Sequence, residues 1–391
     1  MTKAHIPALD GMRFVAAMMV VVGHSSDSIT LFHPKVSEFL APLAPLAMAV
    51  FFVLSGFVMW LNYADDIAKD GPAAVRRFAV ARIARLCPMY LIALVLAAIV
   101  TDPHTLRSIF PGALTFLIGV QAWFPSYDGT LLPMLFYRAG HLWSISIEFF
   151  LYMLFPMLVA LMGAALSFNR AILYSFLNAG AALLAYTLLY HRPAEFAAAA
   201  ARTLSINDAM SWLSYYSPYL HIFEFVAGCL ACAAFLEYRE SNILLLERQR
   251  SQLAAVFSII IMAIVLVLFA RDQHLGQWYV RATVFIRWAP IPALAFLTFF
   301  VSRYERSFLS RFLSSRLAVY GGEASYSIYL LHPFILGWIV PANRTTPPIT
   351  LTVYFSVLAT ICLITLVISR FTYAAVEVPA RRWLRKFLSR A

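Results

Sequence analysis

The sequence predicts an all-α integral membrane protein folded as one domain over residues 1–391, and three observations carry that prediction. Of the 391 residues, 62% are apolar and 13% charged. Water-soluble domains run nearer roughly 45–50% and 25%, so this chain has too little polar surface to cover a soluble core. The mean hydropathy is +0.77. Finally, apolar runs recur along the whole length. At about 20 residues per crossing, ten crossings use about 200 residues and leave only loops and tails.

The runs fall near 12–24, 43–63, 86–101, 109–123, 142–163, 171–190, 218–237, 252–270, 280–302, 318–341 and 349–370. That makes eleven candidates. The run at 109–123 is the weakest, being short and interrupted by Pro111, Gly112 and Gly119. Charge tests the count. Arg76, Arg77, Arg82 and Arg85 form one basic stretch, and Arg239, Arg248 and Arg250 form another. Both belong on the cytoplasmic side by the positive-inside rule, and two segments on one side need an even number of crossings between them. Treating 109–123 as re-entrant or interfacial restores parity. Ten spans with both termini cytoplasmic are therefore expected, with eleven as the alternative. Arg303, Arg306, Arg311 and Arg316 then fall inside, as does a basic tail at 371–391 carrying Arg381, Arg382, Arg385 and Lys386. Lys3 followed by the apolar core 14–22 resembles a signal peptide, but Asp10 and Arg13 interrupt it, and a retained helix is expected.

The four cysteines are Cys87, Cys229, Cys232 and Cys362. The Cys229–Cys232 spacing could suit redox or metal chemistry, yet no second pair or histidine cluster completes a site. Packing is expected, with no metal and no permanently bound cofactor. No glycine-rich phosphate loop occurs, which disfavours an ATP-driven machine.

Ionisable groups within a span are costly and are usually paired, water-facing or functional. The first span carries Asp10, Arg13 and His24. Arg13 and His24 lie eleven residues apart, on one helix face and ~16 Å apart along the axis. Asp10 can pair with Arg13 one turn away. Arg13 as an interfacial anchor and His24 as a helix-end cap are the competing explanations. The span from 142 brings Glu148, with His141, Trp143, Ser144 and Ser146 nearby. Glu148 reads either as a protonated carboxyl bonded to a neighbouring helix or as a substrate contact. The run from 318 adds Glu323, Ser325, Tyr326, Ser327, Tyr329 and His332, whose hydroxyls could serve as interhelical glue. His332 before Pro333 could equally mark a helix break. Ser55-Gly56 permits close approach of a helix or a ligand. The basic stretch Arg76–Arg85 reads as a topology signal, an anionic-lipid anchor or a landing site for a polyanion, whose phosphates suit forked arginine donors. His33, His104, His191, His221 and His274 receive no role.

Six segments together resemble the membrane-bound acyltransferase-3 family, whose members O-acylate surface glycans and related acceptors. Leu9-Asp10-Gly11-Met12-Arg13, then ten residues and His24, resembles its Arg/Lys-x10-His signature. Phe51-Phe52-Val53-Leu54-Ser55-Gly56-Phe57 is similar to its second-helix motif. Arg77-Phe78 through Arg82-Ile83, Arg85 and Pro88-Met89-Tyr90 is similar to its basic first cytoplasmic loop. His141-Leu142-Trp143-Ser144 through Glu148 resembles its Trp-Ser-x-x-x-Glu helix, Ser325-Tyr326-Ser327-Ile328-Tyr329-Leu330-Leu331-His332 its late motif, and Glu377-Val378-Pro379 its ending. Many members carry Glu-Glu where this chain has Glu148-Phe149. Some members add an extracytoplasmic esterase-like domain, which a chain ending at Ala391 is expected to lack.

The resemblance implies transfer of an acyl group, most often acetyl, from cytosolic acyl-CoA to a hydroxyl of a cell-surface or lipid-linked glycan, in a bacterial inner membrane. On that reading His24, Arg13 and Glu148 form the catalytic set. His24 is a general base or a transient acyl carrier, an imidazole being suited to activating a sugar hydroxyl near neutral pH. Arg13 holds donor phosphate or carbonyl oxygen. Arg77, Arg82 and Arg85 grip coenzyme phosphates. His141, Trp143 and Glu148 lie near the outer mouth and meet the sugar, an aromatic face for the ring and a carboxylate for hydroxyls, with Asp10, Ser325, Tyr326 and His332 as further substrate contacts. Membrane lipids are the other partners, and no nucleic acid is expected. A transporter or flippase for lipid-linked saccharides would use the same buried polar groups, although the two halves show no internal repeat. A non-catalytic partner of a separate transferase is the third alternative.

Overall fold

The computed structural model describes residues 5–28, 36, 39–40, 42–101, 113–124, 140–192, 195, 206–238, 252–253, 255–260, 289–340 and 350–388. Among these, seven helices are long and apolar enough to cross a membrane. The second arginine cluster (Arg239, Arg248, Arg250), Arg287, His33, His104 and His274 lie outside the described residues, as does most of the run at 252–270.

Helix α1 is Pro7–Ser28 and α2 is Leu43–Asp70. Gly71 at φ +53° ends α2 by donating its N–H to the Ile67 carbonyl, and Pro72 opens α3, Pro72–Val100. Positive φ suits glycine, and a proline at the first helical position sacrifices only an N–H that has no helical partner. The stretch Arg76–Arg85 is therefore not a loop. It forms the first half of a 29-residue helix, because its alanine- and arginine-rich sequence propagates helix straight into the apolar segment.

The described part of the run at 109–123, residues 113–123, holds the five-residue helix α4, Ala113–Leu117, followed by turns. Irregular backbone survives at membrane depth only when its polar groups are met by protein, and here they are. Tyr90 donates to the Phe116 carbonyl, the Ala122 N–H donates to the Ser146 hydroxyl, and the Trp212 indole donates to the Ala122 carbonyl.

A 3-10 turn at Gly140–Leu142 leads into α5, Trp143–Met162, and α6 covers Phe168–His191. A short α7, Ile206–Ser211, passes through a π-turn at Trp212–Tyr216 into α8, Pro218–Tyr238. Next come α9 (Pro290–Arg303), α10 (Phe308–Leu313) and α11 (Arg316–Glu323). The expected run at 318–341 breaks at Ala324 into α11 and α12, Ser325–Ile339. At ~1.5 Å per residue α12 spans ~22 Å, less than a ~30 Å hydrocarbon core. Helix α13, Leu351–Thr372, continues through a π-turn at Tyr373–Glu377 into α14, Val378–Leu388, so the basic tail is helical through residue 388.

The tightest crossing joins α2 to α8. A Cβ on Gly56 would collide with the Phe225 carbonyl, and one on Gly228 with the Val53 carbonyl. Each helix thus presents a glycine to the other's backbone, and the Cys229 thiol donates to the Gly56 carbonyl at 3.4 Å. Cys229 and Cys232 are buried free thiols that pack this crossing. A second contact of this kind clasps the start of α1, where Gly11 meets the Leu313 carbonyl and Gly322 meets the Asp10 carbonyl.

Gly56→Val should cost about 3 kcal/mol or prevent folding, as overpacking of a closed contact does. Gly180→Ala, where an added Cβ meets nothing within 4 Å, should be neutral or stabilising. Thermal unfolding in detergent checks the pair, and equal behaviour of the two variants would contradict the crossing.

Candidate active site

The face of α2 that repeats every three to four residues, Met48-Phe51/Phe52-Ser55-Met59-Asn62/Tyr63, lines one wall of a cavity of about 260 Å³. Fifteen residues of helix make it ~22 Å tall. Helix α3 adds Arg82 and Arg85, α1 adds Arg13, α5 adds Ser144, Glu148 and Tyr152, and α12 adds Ser325, Tyr326 and Tyr329. Three guanidiniums face one carboxylate across this space.

The arginines are held loosely enough to keep donors for a ligand. Arg13 donates to Asp10 at 2.8 Å, and Asp10 is also within 2.6 Å of the His5 ring. Arg82 donates to the Tyr63 hydroxyl at 2.8 Å and lies over the rings of Tyr63, Phe78 and Tyr152. Its Nε is buried without a hydrogen-bond partner, an arrangement that an anion would relieve. Arg85 lies within electrostatic reach of Glu377 and Glu148. The π-turn before α14 brings Glu377 into the interior, where it accepts from Ser327 at 2.6 Å.

At its far end the cavity closes on Phe51, Ser144 and Tyr329. Ser144 donates to the Tyr329 hydroxyl at 2.7 Å, and that hydroxyl donates to the His141 carbonyl at 2.6 Å. Behind this layer lie three imidazoles. His24 Nδ1 is 2.8 Å from His332 Nε2. His332 Nδ1 is 2.6 Å from the Tyr329 carbonyl oxygen. The His141 ring is 5.8 Å from that of His332, and its Nε2 donates to the Leu330 carbonyl at 3.1 Å. The opposite nitrogen, His141 Nδ1, is buried with no hydrogen-bond partner.

Several expected positions differ. Arg77 does not border the cavity. It sits an early turn into α3, exposed, in an ion pair with Asp70, about two turns short of the depth that Arg85 reaches. Trp143 offers no open face to a sugar, being buried against Tyr215 (ring centres 4.7 Å apart) and Tyr216 (5.5 Å). Arg13 borders the cavity, but His24, His141 and His332 do not; Tyr329 stands between. Ser325 and Tyr326 are on the wall, Glu148 lies among the arginines of the cavity and not with His141 and Trp143, and Asp10 is the partner of Arg13. Tyr63, Tyr152 and Tyr329 went unassigned by sequence reasoning. The signal for Tyr152 was its place one turn after Glu148, and for Tyr63 its register on the α2 face that starts at Met48.

The fold and site are those of a helical, multi-pass membrane bundle with a buried basic cavity and imidazoles beyond it. The profile of the acyltransferase-3 family, described as an acyltransferase domain, matches residues 6–370, and the chain belongs to that family. Among relatives, OatA of Listeria monocytogenes, a peptidoglycan O-acetyltransferase, is 20% identical over 390 residues, covering 97% of this chain and 56% of OatA. YrhL of Bacillus subtilis, provisionally named a peptidoglycan O-acetyltransferase, is 24% identical over 393 residues, covering 96% of this chain and 55% of YrhL. The acyltransferase MdmB of Streptomyces mycarofaciens is 31% identical over 164 residues, covering 39% of this chain and 38% of MdmB. The chain spans little more than half the length of the two peptidoglycan relatives. No solved structure matches it.

Tyr329→Phe would leave the buried His141 carbonyl without its hydroxyl donor, which costs about 1–3 kcal/mol. A fall in melting temperature is expected, and an unchanged value would show that Ser144, 3.3 Å from the same carbonyl, already satisfies it.

Proposed function

We propose that the protein is an O-acetyltransferase of a bacterial cytoplasmic membrane, moving an acetyl group from acetyl-CoA to a hydroxyl of a cell-surface glycan. The observation that carries this reading is the convergence of Arg13, Arg82 and Arg85 on a tall, narrow cavity whose blind end abuts the layer in front of His24. The names of OatA and YrhL support a glycan acceptor, with peptidoglycan as the first acceptor to assay.

At about 260 Å³ the cavity is smaller than the roughly 300–1,000 Å³ that a drug-sized ligand fills. It suits a linear acyl-thioester arm, not a whole coenzyme. The arginines at its basic end then meet the donor's phosphates or the thioester oxygen, and the acyl group points toward Ser144 and Tyr329. Basic residues cluster at this end, which by the positive-inside rule supports a cytoplasmic orientation and a cytosolic donor.

The acceptor oxygen attacks the thioester carbonyl carbon as its proton passes to the His24 imidazole. The new C–O bond forms, the C–S bond breaks, and the departing thiolate takes the proton that His24 received. Glu148 and Arg13 orient the donor within the cavity. The Tyr329–Phe51 layer must be passed by the acyl group or the acceptor hydroxyl, which makes it the checkpoint between donor and acceptor sides. His141 Nδ1, a buried lone pair without a partner, is available to accept from the incoming hydroxyl.

His24→Ala should lower acetyl transfer by about 10²–10⁴-fold, the range for loss of a general base, while the protein still folds and inserts. The O-acetyl content of surface saccharide, by mass spectrometry of cells carrying either form, is the readout. Undiminished acetylation would refute the assignment. Separately, Arg82→Ala and Arg85→Ala should each weaken acetyl-CoA binding about tenfold at low ionic strength, with a smaller difference at high salt. Unchanged affinity would return both arginines to a topological role.

A further inference from the structure

The dipeptide His332-Pro333 lies inside α12. In a helix, residue 333 would donate its N–H to the carbonyl four residues earlier, which is that of Tyr329. Proline has no N–H, so this carbonyl loses its helical donor. A buried carbonyl left unsatisfied is costly. The side chain of the preceding residue answers that need, because His332 Nδ1 lies 2.6 Å from the Tyr329 oxygen.

A carbonyl oxygen can only accept, so His332 Nδ1 carries a proton. In a neutral imidazole the other nitrogen then bears a lone pair. That nitrogen, Nε2, is 2.8 Å from His24 Nδ1. The two rings are inclined by only 19°, with centres 5.1 Å apart. This separation is too wide for face-to-face stacking at that nitrogen distance. It matches the bond length plus the two ring radii, so the rings lie edge to edge, nearly coplanar. Imidazole lone pairs and N–H bonds lie in the ring plane, and the contact is therefore a true hydrogen bond.

We infer that His332 is a positioning residue for His24: Pro333 withdraws the helical donor, His332 Nδ1–H replaces it, and His332 Nε2 thereby fixes the proton of His24 on Nδ1, leaving His24 Nε2 as its basic nitrogen. This inference rests on the reading of His24 as the base and adds which of its two nitrogens acts. When Nε2 takes the acceptor's proton, the imidazolium still donates through Nδ1 to His332, so no bond in the chain is broken and none must reverse. An oriented tautomer with a fixed acceptor behind the base is the same logic that positions the histidine of a hydrolytic triad. Here a second imidazole and a backbone carbonyl stand where a carboxylate would.

The test uses the full chain in lipid nanodiscs with ¹³C,¹⁵N-labelled histidine. Ring nitrogen and carbon shifts distinguish the two tautomers, and His24→Ala and His332→Ala assign the signals. In the wild type both His24 and His332 should carry their proton on Nδ1. A wild-type His24 protonated on Nε2 would overturn the inference, whether or not any variant folds. In kinetics, His332→Phe should lower kcat about 100-fold with the KM for acetyl-CoA changed less than about twofold. His332→Gln, whose amide oxygen can accept from His24 Nδ1, should recover about tenfold of that loss. Activity of His332→Phe within twofold of wild type would also overturn it. The underlying reading fails separately, through an active His24→Ala protein. An inactive His24→Ala variant together with a wild-type His24 protonated on Nε2 leaves that reading standing and removes this inference alone.

Discussion

Tyr329 bonds in two directions, and both follow from the absence of water in a bilayer core, where every buried polar group has to be met by the chain itself. Its hydroxyl ties α12 to the start of α5 through the His141 carbonyl and Ser144. Its carbonyl, stripped of a helical donor by Pro333, draws in the His332 ring. One residue thus closes the arginine-lined cavity on one side and orders the imidazoles on the other. If α12 lacked either bond, the layer between the two compartments would have no fixed position. The donor-side charges would then have no defined relation to His24.

The charged groups obey the same constraint with a different balance. A buried ion pair is rarely worth its desolvation, whereas an unpaired buried charge is expensive. Arg13, Arg82 and Arg85 sit between these extremes. One has a short bond to Asp10, one has a phenol and aromatic faces, and one has carboxylates within reach. None is locked in a two-pronged carboxylate clamp, so a phosphate or thioester oxygen can still gain charge-assisted bonds on entry. A resting site of this kind is stable enough to fold and unsatisfied enough to bind.

Much of this was legible in the sequence, because it depends on helical spacing and on residue chemistry. The placement of Arg13 and His24 on one face of the first helix and the demotion of the 109–123 run both follow from local rules, and the described residues agree with them. What was illegible depends on contacts between distant segments. Arg77 resembles Arg82 and Arg85 in sequence, yet each residue along a helix turns by 100° and rises 1.5 Å, and only the latter two reach the cavity. Trp143 looked like a sugar platform, but the π-turn at Trp212–Tyr216 supplies two tyrosine rings that cover it. His332 read as a substrate contact or a helix breaker. The helix does not break there, since α12 runs through Pro333 unbroken. Only the register of α12 against α1 reveals that the carbonyl Pro333 leaves without a donor holds the ring that meets His24.

That register is enforced by glycine. Gly11 and Gly322 bring the backbones of α1 and the α10–α12 segment into direct contact near Arg13, and Gly321 lies against the Phe14 ring. Thirteen residues beyond Gly11 on α1, the His24–His332 bond adds an attachment to α12. Attachments ~20 Å apart, one to α10 and α11 and one to α12, oppose sliding or rotation of α1 against that segment. On the opposite wall, Gly56 and Gly228 lock α2 to α8 in the same manner. Two walls of the cavity, α1 and α2, are therefore each fixed to a neighbouring segment by backbone contacts that leave no slack for repacking. Any opening between donor and acceptor sides then has to come from side chains at the closing layer, of which Tyr329 and Phe51 are the largest, while the helices that carry Arg13 and His24 stay in place.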